Sequence, residues 1–181
     1  MDRIEHYLAA ARSQMERIWS RVDMLSGPAQ TSRQREHFAQ TFCEIHFYFI
    51  CWEVVAAMLK ELKLHSGLAA AHRVWRRHSR VLERYCEARR HLENIAEQLS
   101  GRTANTVLQQ TYPSDFAYLH GRYFAVDGKR WDVSRSSLKR LEAIVSDVNK
   151  QLRAEAISRH QSIVEREKSA SRTRSPIVPT G

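Results

Sequence analysis

The sequence predicts a mainly α-helical protein, an up-and-down four-helix bundle with a β-hairpin inserted before the last helix. Three observations predict it. Apolar residues recur in alternating steps of three and four along four stretches of the 181-residue chain. The period changes in one place, around an Asp-Gly pair, and then returns to helical spacing. Glycine and proline are few, at 6 and 4, which favours long elements over many short turns.

The first helix is expected from about Asp2 to Leu25, with Ile4, Leu8, Ala11, Met15, Ile18, Val22 and Leu25 on one face. Ser26-Gly27-Pro28 ends it, since proline bars continuation and glycine tolerates the cap geometry. The second, from about Ser32 to Leu64, carries Phe38, Phe42, Ile45, Phe49, Trp52, Ala56, Leu59 and Leu62 in the same rhythm. Phe47, Ile50, Val54 and Val55 make a second side apolar, so this is the expected core helix. A break at His65-Ser66-Gly67 precedes the third helix, expected from Leu68 to Leu99 and closed by Ser100-Gly101. Its seam comprises Leu68, Ala71, Trp75, His78, Leu82, Tyr85, Arg89, Leu92, Ala96 and Leu99.

At Tyr123–Val126, Asp127-Gly128 and Lys129–Val133 the pattern becomes that of a hairpin. Asp-Gly supplies the positive φ angles of a type I′ turn, and aromatic and β-branched residues flank it. With a further candidate strand at Phe116–Leu119, this places the hairpin at about 116–133. Ser134 is the expected N-cap of the last helix, whose Leu138, Leu141, Val145, Val148 and Leu152 continue the seam to about Arg166. Residues 1–166 therefore form one expected domain, with 167–181 a disordered basic tail.

The chain holds 29 basic against 20 acidic residues, a formal charge of +9. That balance favours an anionic partner, because phosphates gain from Lys and Arg neutralisation, or else serves as solubilising surface. Cys43, Cys51 and Cys86 show no CxxC spacing and read as reduced thiols packed as small hydrophobes in a reducing compartment. No signal peptide is visible, and the most apolar stretch, Phe47–Leu59, contains Glu53 and is too short to span a bilayer. A cytoplasmic protein without membrane contact is expected. Nine histidines form no HExxH or Cys/His quartet, and Cys43 with His46 lacks a third ligand, so no metal or other cofactor is expected. P-loop, GxSxG and dinucleotide fingerprints are missing too.

Two features of the third helix could carry function. Arg89 sits in an otherwise apolar seam, where a guanidinium must be paired. Either Glu93, one turn on, neutralises it, or it faces a cleft ready to grip a phosphate or carboxylate. Arg73, Arg77, Arg80 and Arg84 with His91 share the side away from the seam, and Arg90 adds to the basic character. Such a stripe could track a phosphate backbone or be a solvated face. No aromatic residue interleaves with it in sequence.

The segment Glu87-Ala88-Arg89-Arg90-His91-Leu92-Glu93-Asn94 resembles helical proteins of the HEPN superfamily, and with the order of helices, hairpin and final helix the resemblance spans roughly residues 2–165. It implies a helical bundle, often dimeric, that in many members cleaves RNA without metal. The family's motif is an Arg, usually followed by a polar residue, with a His four to six residues further on. Arg89 matches the motif Arg, Arg90 the polar position, and Asn94 stands where His is expected. In that chemistry a ribose 2′-OH attacks the adjacent phosphate, Arg steadies the growing charge and His moves a proton. Asparagine cannot move that proton, which leaves His91, the histidine nearest Arg89, as its substitute.

The leading expectation is thus a HEPN-like RNA-associated protein of a toxin–antitoxin or defence system, with RNA and an antitoxin as partners. Its metal-independent endoribonuclease activity would be weakened or lost, with Arg89, His91 and Asn94 as the catalytic candidates. The alternative is a non-catalytic helical interaction protein that docks an acidic partner through its basic face and tail. A nucleic-acid-binding regulator ranks lower, for want of helix-turn-helix spacing.

Overall fold

The computed structural model describes residues 2–22, 31–64, 69–103 and 117–173. Helix α1 spans Asp2–Arg21, α2 Ser32–Leu64, α3 Ala69–Thr103 and α4 Arg135–Thr173; between α3 and α4 lie β1 (Ala117–His120), β2 (Tyr123–Val126) and β3 (Lys129–Asp132). The protein is therefore mainly helical, with a small sheet before the last helix. Leu25, the Ser26-Gly27-Pro28 stop, the His65-Ser66-Gly67 break, Leu68 and Phe116 lie outside the described residues, as do the side chains of Ala96 and Leu99.

Helix α2 is the centre. Tyr48, Phe49, Trp52, Val55 and Leu59 are fully enclosed, and the helix packs against α1 on one side and α3 on the other. Burial is broad, as expected, but Phe47 stands 56% exposed. By length and composition α2 could cross a membrane; in this fold its apolar face is the core. Thr31 starts it through a reciprocal cap: Gln34 N donates to Thr31 Oγ1 (3.2 Å) and Thr31 N donates to Gln34 Oε1 (3.0 Å).

The α1 seam is buried from Ile4 through Ile18, whereas Val22 is half-buried. On α3, Ala71, Leu82, Tyr85 and Leu92 are buried as the heptad spacing predicts, while Trp75 and His78 stay half-buried. This helix runs past Ser100-Gly101, the expected stop, to Thr103. A helical glycine costs only about 1 kcal/mol relative to alanine, and the next proline is Pro113. Helices α3 and α4 lie in opposite directions, since Ala70, Arg73 and Arg77 meet Glu155, Gln151 and Asp147 in turn. Glu155 Oε2 accepts the Ala70 N–H at 2.7 Å, satisfying one of the unpaired donors at the start of α3. Helix α1 closes the set against α4, where Arg12 meets Glu142 and Asn149 meets Glu5.

The hairpin holds, and the candidate third strand pairs with it, giving an antiparallel sheet in the order β1-β2-β3. Asp127 (φ 48°) and Gly128 (φ 71°) form the turn in the left-handed region that Asp-Gly favours. The inner face carries Phe124, Val126 and Trp131 into the core, where Phe49 touches both Phe124 and Trp131. Ser134 caps α4 as expected, its Oγ accepting Ser136 N at 3.1 Å. Helix α4 continues past Arg166 to Thr173, so the first part of the expected disordered tail is helical; 174–181 fall outside the described residues.

Candidate functional site

Arg89 is held, not open. Its Nε and Nη2 donate to Glu93 Oε1 at 2.9 and 2.6 Å, and its Nη1 donates to Glu53 of α2. The side chain is 32% exposed, so it bridges α2 and α3 at their rim instead of sitting deep in the seam. Its hydrogen bonds to Glu53 and then to Glu93 raise its pKa further. The expected Glu93 partner is present, and Glu53 is a second one that local spacing cannot reveal. Beside them His46 has its pKa lowered, chiefly by burial, with Glu93 opposing and Arg89 assisting, and its Nε2 has no hydrogen-bond partner. Two carboxylates occupy the guanidinium edge that a phosphate would need, which corrects the cleft-facing expectation.

His91 does not join Arg89. Two residues along a helix turn through about 200°, and its ring instead packs on Trp131 of β3 at 5.5 Å. Its Nε2 lies 3.8 Å from Asp127 Oδ2, beyond a hydrogen bond. Asn94 is exposed. The three catalytic candidates therefore form no common centre among the described residues. Those residues also contain no group of three or more His, Cys, Asp or Glu able to hold a metal ion. Cys51 is buried, and burial pushes its thiol up to about 11; Cys43 is exposed, unlike the packed thiol expected there.

The arginine stripe divides in two. Arg77 Nη1 binds Asp147 at 2.8 Å and Arg73 binds Gln151 at 3.3 Å, so these two serve the contact between α3 and α4. Arg80 and Arg84 remain in solvent, and with Lys60, Arg90, Glu83 and Glu87 they line one shallow groove. Arg84 Nη2 also donates to the Arg130 carbonyl of β3 at 3.1 Å. A guanidinium has five N–H donors, so one such bond leaves others for a ligand. The backbone of β3 is tied to α3 again by Tyr85 OH, which donates to Asp132 O at 2.8 Å, and Lys129 Nζ reaches Glu87 at 2.9 Å.

Those bonds bring the stripe to a face that sequence spacing did not connect with it. On the outward side of the sheet, Tyr118, Ala125 and Arg130 stand in one row and His120, Tyr123 and Asp132 in the next. Tyr118 is 58% and Tyr123 37% exposed. The guanidiniums of Arg122 and Arg130 lie 5.4 and 5.8 Å from the Tyr123 ring centroid, within cation–π range. Arg122 is oriented by an ion pair with Asp132. The period-two alternation of the hairpin contained this signal, because Tyr118 and Tyr123 fall opposite the core-facing Phe124 and Trp131.

Comparison with family models, curated proteins and solved structures finds no match.

Proposed function

We propose that the chain is a HEPN-like, RNA-associated cytoplasmic protein that binds RNA without cutting it, its four helices forming an up-and-down bundle. One observation carries the reading: exposed Arg84, which shares a groove on α3 with Arg80, reaches β3, so a basic surface passes from helix to sheet through the contact of Arg84 with the Arg130 carbonyl. The charge of +9 supports an anionic partner. The contacts of α1 with α2, α2 with α3, α3 with α4 and α4 with α1 support the bundle. Arg89 argues against cleavage. To grip a scissile phosphate it would have to leave Glu53 and Glu93, two partly buried carboxylates, without their counter-charge. The toxin–antitoxin or defence setting, and a protein partner such as an antitoxin, follow from the family resemblance.

The test uses labelled RNA with the full chain in EDTA. Binding should weaken steadily with salt, and Arg80→Glu with Arg84→Glu should weaken it roughly tenfold or more, since each reverses a phosphate-facing charge. The parent, Arg89→Ala and Asn94→His should all leave the RNA intact. Cleavage by the parent that Arg89→Ala abolishes, or cleavage gained in Asn94→His, would overturn the non-catalytic part. No binding at low salt would overturn the RNA part.

A further inference from the structure

The outward face of the sheet combines exposed rings and guanidiniums, a combination nothing in the core requires. Its inner face is filled by Phe124, Val126 and Trp131, and the fold needs no large aromatic opposite them. Yet Tyr118 stands 58% exposed and Tyr123 37%, the second ring layered with the guanidiniums of Arg122 and Arg130, whose planes also accept a stacked base. Tyr123 pairs with His120, two residues along β1 from Tyr118, which makes the tyrosines diagonal neighbours on one face. Such neighbours are separated by about 7–8 Å, close enough for successive bases of an unstacked strand to take one ring each. Ala125, opposite Tyr118, is buried beneath this face, and exposed His120 stands at the other corner.

We infer that this face is a binding platform for single-stranded RNA, with unpaired bases stacking on Tyr118 and Tyr123 and the strand's phosphates running over Arg122 and Arg130 toward Arg84 and Arg80. The inference rests on the RNA-binding reading above and deepens it by naming the substrate class and the side chains that select it. Ring faces accept any base, so recognition should be tolerant of sequence but not of pairing, because bases stacked within a duplex cannot lie on a protein ring. A surface that attracted only charge would carry the arginines without two exposed aromatics. That distinguishes a single strand from an acidic protein partner.

The experiment measures fluorescence anisotropy of a labelled oligouridine and of an RNA duplex of equal length, with the full chain. The parent should prefer the single strand. Tyr118→Ala with Tyr123→Ala should weaken single-strand binding by roughly 25-fold or more, at one stacked base per ring, and leave duplex binding unchanged. Tyr118→Phe with Tyr123→Phe should keep most of the affinity, because stacking needs the ring and not the hydroxyl. Melting temperatures of both double variants check that the sheet persists. RNA binding by the parent that the alanine pair leaves untouched, or a preference for duplex, would overturn the platform while sparing the RNA reading. Polyglutamate displacing oligouridine equally well from the parent and the alanine pair would show a surface that recognises charge alone, and would also overturn it. No binding of either RNA at low salt would overturn both.

Discussion

Trp52→Ala tests the core helix, and its size follows from three observations. Trp52 is fully enclosed and is the largest such side chain. Its indole stacks on Tyr85 of α3, with centroids 3.9 Å apart and planes at 12°, and meets Tyr48 edge-on. Truncating a buried aromatic of this kind costs about 3–5 kcal/mol, stacking included. One contribution opposes that loss: Trp52 Nε1 is buried with no well-formed hydrogen bond, its N–H having only the neighbouring Tyr48 hydroxyl to interact with, so removing it relieves about 1 kcal/mol of desolvation. The expected cost is therefore about 2–4 kcal/mol, centred on about 3. Trp52→Phe keeps a ring against Tyr85 and discards the poorly paired N–H, so the two changes nearly cancel, to within about 1 kcal/mol. For a chain this size each kcal/mol shifts Tm by about 2–4 °C, giving a fall of roughly 6–12 °C for Ala and a few degrees at most for Phe. Urea denaturation with linear extrapolation, backed by calorimetry, measures both. A Phe penalty as large as that of Ala would show the indole N–H to be bonded. An Ala variant within about 1 kcal/mol of the parent would refute α2 as the core.

Two further outcomes can be measured on the same instruments. Burial alone would raise the Asp132 pKa, but hydrogen bonds from Arg122 and Ser134 outweigh it and hold the carboxyl below its ordinary value of 3.8. Its stabilising contribution is thus full above that value and lost as pH falls through the lower folded pKa. Asp132→Asn keeps an acceptor for Ser134 N but loses the ion pair, so its Tm should fall less steeply than the parent's as pH drops below about 4; parallel curves would sink the argument. Deleting residues 168–181 should leave Tm within about 1 °C, since Glu165–Ser169 on α4 are exposed; a fall of several degrees would mean that this end docks.

Much of the fold was legible because periodicity is local. Ile4 to Ile18, Phe38 to Leu59 and Leu141 to Val148 reveal their buried faces through spacing alone. Asp127-Gly128 and Ser134 announce themselves by backbone chemistry available to few residues. Helix ends were less legible at Gly101 and Arg166, where no proline or strong cap forces a stop and propensity differences are small.

The candidate sites divide along the same line. Spacing along the chain could place Arg89 on the seam and Glu93 one turn away, because both belong to one helix. It could not find Glu53, which comes from α2 and turns a prospective phosphate grip into a paired, structural guanidinium. Nor could it see that Arg77 is consumed by Asp147 whereas Arg84 borders Arg130 and the tyrosine face. The amino-acid order by itself determined which residues face inward, since burial of an apolar stripe depends on the pitch of a single helix or strand. Which charge meets which partner was decided only by the tertiary structure, because that depends on the relative register of elements far apart in the chain.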